Sequence, residues 1–433
     1  MKIAVVGSGI SGLSAAWQLS CGGHEVSLFE AGDYFGGHTH TVDVDIDDQR
    51  FGVDTGFLVF NHRTYPNLVR LFEQLKVHTS ASDMSFAVKM PMSSSVGART
   101  LEWAGSNLDT VFAQRRNLLS PRFWRMLRDI MRFNQQTTEM ALTAGAMDEI
   151  PLGEFLDAHR YSAEFRDWYL LPMAGCIWSC PTEQMLAFPM ATFVRFCHNH
   201  GLIQVSNRPQ WHTVTGGARH YVQKMLEAIS QRYLNTPVTS VRRVPLGTSY
   251  QVRIESSRGV QLFDHAVLAA HSDQSLQLLH DASDTERVVL SAVGYQPNQA
   301  ILHTDARCLP ESRKAWSAWN YESTGPGESR VCVHYLLNKL QPLPVKSPVI
   351  VSLNPIHAPD PAKVLARFDY AHPVFDGPAV NAQQKLLALQ GTRNTWFAGA
   401  WTGYGFHEDG LKSGLSVAAA IAALADTPVK QAA

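Results

Sequence analysis

The sequence has little that would commit it to a disulfide framework, a nucleic acid or a bilayer. Six cysteines, Cys21, Cys176, Cys180, Cys197, Cys308 and Cys332, are scattered through 433 residues. Cys176 and Cys180 stand four apart with no second pair to answer them, so the pattern argues for reduced structural thiols, no bound metal and a reducing compartment. Lys and Arg number 37 against 38 Asp and Glu, a net charge of -1 that leaves no general case for nucleic acid binding. Any basic surface must be local. No uninterrupted apolar run approaches the ~20 residues a membrane-spanning helix needs. An apolar stretch already begins at Ile3, which leaves no room ahead of it for a secretory leader. These absences point to a cytoplasmic chain, in solution or lying against a membrane. With 45% hydrophobic and 17% charged residues it is globular, and its length exceeds one simple core, so two packed domains are expected.

What is present concentrates at the amino end. Residues 3–6 read as a buried parallel strand that meets Gly7-Ser8-Gly9-Ile10-Ser11-Gly12, where a helix through Leu13, Ala16 and Leu19 begins. Gly7 turns the chain, Gly9 lets backbone approach a pyrophosphate, and Gly12 lets helix pack on strand. The helix N-terminus offers free N–H groups and partial positive charge to the phosphates. A second strand over residues 25–29 ends at Glu30-Ala31, where a carboxylate accepts from an adenosine ribose and repels a 2′-phosphate, so NADP is disfavoured. Gly36-Gly37 follows closely enough to lie against the same pyrophosphate.

This succession of GxGxxG, acidic strand end and GG resembles the flavoprotein superfamily of amine oxidases, phytoene-type desaturases and protoporphyrinogen oxidase. The string FLVFNHRTYPNLVRLF at residues 57–72 and the closing TWFAGAWTGYGFHEDGLKSGLS are similar to a bacterial branch of amine-oxidase-like proteins associated with fatty-acid modification. The resemblance implies an α/β fold: a Rossmann-type FAD domain of the glutathione-reductase/amine-oxidase type, interleaved with an α+β substrate domain. On that pattern residues 1–75, 205–290 and 385–425 form the FAD domain, 76–204 and 291–384 the substrate domain, and 426–433 a flexible tail.

The same resemblance assigns cofactor contacts. His38 stands where amine oxidases usually carry an arginine for the pyrophosphate, with Thr39 beside it; Thr55, Gly56 and Phe57 lie at the flavin edge. Val238 packs on the adenine side, Ala269 ends a strand of the nucleotide sheet, and Gly399, Ala400 and Trp401 pass the flavin. Gly410 is read as opening the last helix, so that its N–H and that of Leu411 meet the pyrimidine edge, where a helix N-terminus stabilises negative charge. No cysteine occupies this loop, so FAD is expected to be non-covalent. Trp401, Tyr404 and His407 sit where substrate meets the ring and are the catalytic candidates; His407 with Glu408 can move a proton or simply shape the helix entry.

Three further readings stay open at this level. A helix from Ser120-Pro121 gathers Arg122, Arg125, Arg128 and Arg132 on one arc, and Phe123, Trp124, Met126, Leu127, Ile130, Met131 and Phe133 on the other. Over 120–134 it either lies on an anionic membrane or covers a core. Residues 167–188, poor in charge and rich in Trp, Leu and Met, either line an apolar tunnel or pack. Amine oxidases often hold a lysine near flavin N5; between Arg287 and Arg313 this sequence has none, leaving His303 as a substitute or as a buried structural imidazole. The missing lysine favours hydride removal from an apolar substrate, a fatty acyl or phospholipid chain, with oxygen or quinone as acceptor. The alternatives are an amine oxidase using a cage of Trp401, Tyr404 and Tyr65, and a non-catalytic lipid or prenyl carrier.

Overall fold

The computed structural model describes residues 1–92, 99–142, 150–178, 182–202, 208–325 and 331–425. The expected tail at 426–433, and Cys180, lie outside them. Beneath the glycine turn is a five-stranded parallel sheet in the order Gln231–Tyr233, Glu25–Phe29, Lys2–Val6, His265–Leu268, Thr395–Phe397. Parallel strands covered on both faces read as continuous apolar runs, and Ile3, Ala4 and Val5 are all fully buried. Ile3 and Val5 face one hydrophobic cluster with Leu13 of helix Ile10–Cys21 and Ile421 of helix His407–Ala425. Ala4 and Val6 face another, shared with the antiparallel sheet of Val238–Leu246, Ser249–Ser256 and Gly259–Phe263.

A second layer is a mixed seven-stranded sheet in the order Val364–Val374, Gly294–His303, Ile350–Leu353, Cys332–Leu336, Trp319–Glu322, Phe86–Met92, Arg99–Ala104. Its strands come from two stretches of chain and those of the parallel sheet from three others. A small sheet of Phe60–Asn61, Trp211–Val214 and Thr79–Ser82 joins the two sets. Helices Pro121–Leu142, Leu152–Ala158, Leu171–Trp178 and Met190–Asn199 pack around a third, aromatic-rich cluster that holds Phe133, Phe155, Trp178 and Phe193.

The arginine helix is present, and Ser120 Oγ accepts from Phe123 N at 3.3 Å as an N-cap does. Its apolar side is turned inward: Phe123, Met126 and Phe133 are at most 1% exposed. Arg122 reaches Glu164 at 2.7 Å, Arg125 reaches it at 3.5 Å, and Arg132 lies 3.5 Å from Asp129. Of the apolar arc, Phe123, Met126 and Phe133 form core while Trp124 and Met131 stay exposed, so over 120–134 the helix covers a core with much of that face. Among the described residues no helix is long and apolar enough to cross a membrane. The stretch at 167–188 is likewise mostly packing, since only Cys176 and Ile177 of its described residues reach the main cavity.

Candidate active site: a dinucleotide cradle opening into an apolar chamber

The glycine turn is held from below by side chains. Ser8 donates to Glu30 through its amide at 2.9 Å and its hydroxyl at 2.5 Å, Gly32 N donates to the other Glu30 oxygen at 2.8 Å, and Gly36 N donates to Ser8 Oγ at 3.2 Å. The strand-end carboxylate, the turn and the GG loop are therefore one unit. Gly37 adopts φ +59, and a Cβ there would come within 3.0 Å of Gly9 Cα. Gly9, by contrast, faces open space, with nothing within 4 Å of a Cβ built on it. Helix Ile10–Cys21 has no side-chain cap, so its first N–H groups are left for a ligand.

This turn forms one end of a cavity of about 670 Å³. Gly7, Ser8, Gly9, Ile10 and Ser11 line it on one side, and Glu30, Ala31, Gly36, Gly37 and Val238 on another. His38, Thr55, Gly56 and Phe57 also line it, as do Ala269, Gly399, Ala400, Trp401 and His407. So do Ile177, Phe196, Trp211, Trp319, Tyr335 and Leu353. Glu30 is the sole Asp, Glu, Lys or Arg among the described lining residues.

Seven residues singled out from the sequence stand elsewhere. A Cβ on Gly12 would lie 1.9 Å from Gly7 O, so that glycine permits packing. Thr39 Oγ1 is buried against Tyr221 OH at 2.6 Å. The last helix begins at His407, where Asp409 accepts from Phe406 N at 3.0 Å, and Gly410 N is already spent on Phe406 O. Gly410 and Leu411 therefore supply no free N–H; a Cβ on Gly410 would meet Ile10 and Ser11, and Leu411 is core. Tyr404 turns toward Phe196 in the helical cluster. Tyr65 and Trp401 line the cavity but Tyr404 is absent from its described lining, so the three do not assemble a cage there. Glu408 accepts from Asn67 N, Asn67 Nδ2 and Leu68 N, which settles it as a cap on helix Pro66–Leu75. His303 is fully buried, bonded to Ser352 at 2.6 Å, and outside the cavity lining.

The cavity also gathers imidazoles that spacing did not reveal, because His200, His271 and His372 come from three distant segments. His407 stacks on Phe57 at 3.8 Å and is hydrogen-bonded through Nε2 to Tyr221 OH at 2.6 Å. Burial drives its pKa down to about 3, and burial lowers His200 and His372 to about 4, His271 adding repulsion to the latter. All three are held in the neutral form at pH 7. A depressed imidazole pKa favours folding above the unfolded value of 6.5, and that stability is lost as pH falls toward the folded pKa. Each group costs at most about 1.4 kcal/mol per pH unit in that window. The Tm of cofactor-free protein should drop by several degrees from about pH 7 to about pH 5 and drop less in His407→Gln; a flat profile would contradict this burial.

The residues present suit an FAD: an open pyrophosphate cradle at Gly9, uncapped helix N–H groups, and His38 Nε2 buried with no partner beside Gly37. Glu30, Val238, Phe57 and His407 line the same cavity as the cradle. A parallel nucleotide sheet whose cradle opens into an uncharged chamber under a second sheet defines a flavoprotein oxidoreductase. The family model of flavin containing amine oxidoreductases matches residues 10–422, and the chain belongs to that family. Its cofactor is FAD. A Mycobacterium tuberculosis protein named as a flavin-containing monoamine oxidase is 25% identical over 256 residues, 56% of this chain and 51% of that one. The chain thus spans about half the length of that curated relative. An engineered putrescine oxidase superposes at TM-score 0.70 with 16% identity, covering 98% of this chain and 99% of its own. A fatty acid isomerase of P. acnes, which produces CLA, superposes at 0.64 with 15% identity, covering 96% and 98%. At such identities these two likenesses speak to the fold.

Proposed function

We propose that the protein removes hydride from a C–H bond of an apolar substrate, a fatty acyl or phospholipid chain, and passes the electrons to oxygen or a quinone. The observation that carries this reading is the uncharged chamber. Beyond the cradle no described lining residue is an Asp, Glu, Lys or Arg, and the nearby His200, His372 and His407 are held neutral. An ammonium entering there meets no carboxylate, whereas an acyl chain loses apolar area to water at roughly 25 cal/mol per Å². Non-covalently bound FAD supplies the hydride acceptor. The chain's own residues position and dehydrate: Trp319, Tyr335 and Leu353 line the chamber from the sheet, Phe196 and Ile177 from the helices, and the stacked Phe57 and His407 line it too.

On this reading residues 1–75, 205–290 and 385–425 hold the cofactor, and 76–204 with 291–384 hold substrate. Peripheral contact with an anionic bilayer is retained through the exposed part of the helix and the turn before it. Leu119 is 88% exposed and Trp124 50%, with Arg115, Arg116 and Arg128 close by in sequence. Oxidation of a primary amine or polyamine is the second reading, favoured by the putrescine oxidase likeness and weakened by the missing lysine and missing cage.

The test is anaerobic mixing of holoprotein with each substrate class. Lipid-extract fractions or acyl chains should bleach the oxidised flavin and diamines should not. Bleaching by amines alone would reverse the ranking. Flotation with anionic vesicles at low salt should carry the protein up, less so in Trp124→Ala; no association removes the membrane contact.

A further inference from the structure

The face of the seven-stranded sheet turned away from the cavity is unusually polar for a buried surface. Strand alternation sends Trp319, Tyr335, Val351 and Leu353 to the cavity, and Glu322, Cys332, His334 and Ser352 to the other side. There Glu322, Cys332 and His334, all buried, bring one ligand atom each to within 4.8 Å of the others. His334 Nε2 lies 3.4 Å from Cys332 Sγ and 3.1 Å from Glu322 Oε2. A tetrahedral zinc, with bonds of about 2.3 Å to sulfur and about 2.0 Å to nitrogen or oxygen, spaces sulfur and nitrogen roughly 3.5 Å apart and nitrogen and oxygen roughly 3.3 Å apart.

We propose that this thiol, imidazole and carboxylate form a zinc site, with Cys308 as the fourth ligand. Cys308, half-buried on the turn Ala306–Cys308, donates its thiol to Asp305 O at 3.3 Å and would turn from it to take the fourth position. The supporting contacts are those a zinc site requires. His334 Nδ1 is 2.6 Å from Ser352 Oγ, which fixes the ring and leaves Nε2 for the metal. Ser352 is held in turn by His303 Nε2 at 2.6 Å, and His303 Nδ1 accepts from Asp305 N at 3.0 Å. Lys89 Nζ sits 2.9 Å from the other oxygen of Glu322. Two thiolates and a carboxylate bring three negative charges; zinc supplies two positive charges and Lys89 the third. Thiolate with imidazole selects zinc over magnesium or calcium.

The site gives His303 and two of the six scattered cysteines a shared role that linear spacing hid. The legible signal was Cys332-x-His334, which on a strand puts both side chains on one face. The ion would fix strands Trp319–Glu322 and Cys332–Leu336 to the turn at 306–308, behind the wall that Trp319 and Tyr335 present to substrate. It is independent of the flavin chemistry.

Metal-stripped, FAD-loaded protein is titrated with cobalt(II) and with zinc chloride. One cobalt per chain should bind with a thiolate charge-transfer band, zinc should displace it, and Cys332→Ser should weaken binding roughly 10–100-fold or more. In the wild-type chain, zinc should protect Cys308 from iodoacetamide while exposed Cys21 is still labelled, a readout that survives if the variant does not fold. Absence of the band, equal affinity in folded Cys332→Ser, or equal labelling of Cys308 with and without zinc would overturn the site.

Discussion

Gly9→Val should yield a folded, colourless protein. Gly9 has φ -61 and ψ 175, extended backbone that a β-branched residue adopts readily, and a Cβ placed there meets no protein atom within 4 Å. The substitution therefore leaves helix Ile10–Cys21 and its neighbours undisturbed. Its methyl groups instead fill the cradle above the helix N-terminus, where the pyrophosphate must touch backbone. Loss of that approach, and of the charge-assisted bonds it permits, should weaken FAD by at least about 100-fold, roughly 2.7 kcal/mol. Apoprotein thermal stability should change by less than about 1 kcal/mol. Absorbance of the purified variant and its denaturation curve measure the two halves. A yellow Gly9→Val protein would mean that the cofactor lies elsewhere. Gly37→Val is the contrasting case, because φ +59 and the 3.0 Å approach to Gly9 Cα should damage folding as well as binding.

Arg243→Met should be the most destabilising single change outside the cradle. The Arg243 side chain is fully buried between Asp281 at 3.0 Å and Glu286 at 2.9 Å, and Arg393 reaches Glu286 at 2.9 Å from the turn before the last sheet strand. The network ties the strand that carries Val238 to helix Asp284–Leu290 and to strand Thr395–Phe397. Removing the guanidinium leaves a buried carboxylate without its main partner, at a cost of about 3–5 kcal/mol. Adding Glu286→Leu should restore a large part, because the unpaired charge goes with it. Urea denaturation of the single and double variants checks this. Equal loss in both would show that packing of the arginine stem, not charge, is what the site needs. Burial raises the Glu286 pKa, but Ser283 and Arg243 outweigh it, so the folded value lies below the usual one. The stabilisation is therefore present above the unfolded pKa and lost in acid as pH falls through the folded one.

The cradle was readable because it is local. Strand, turn, helix and acidic strand end follow one another within residues 3–30, and Gly12 answers to Gly7 in the same turn. The chamber was not, because its walls are assembled by pairing between distant strands: Trp319 faces Tyr335, and Tyr335 in turn faces Val351. Composition told that such residues are apolar without telling which of them meet. Gly410 misled for a definite reason. A glycine ahead of an apolar helical repeat resembles a helix start, but this one lies inside the helix, where its missing side chain lets helix His407–Ala425 approach Ile10 and Ser11. His303 was similarly ambiguous. On a strand, one residue of register decides between cavity and far face, and Leu302 takes the inner side.

The most direct test is the identity of the nucleotide that copurifies with, or reconstitutes, the full chain. Heat or acid release should give FAD, about one per chain and none left on the precipitate, since no cysteine lies in the flavin loop. A folded chain that takes up a nicotinamide dinucleotide while refusing FAD would contradict the account at its root.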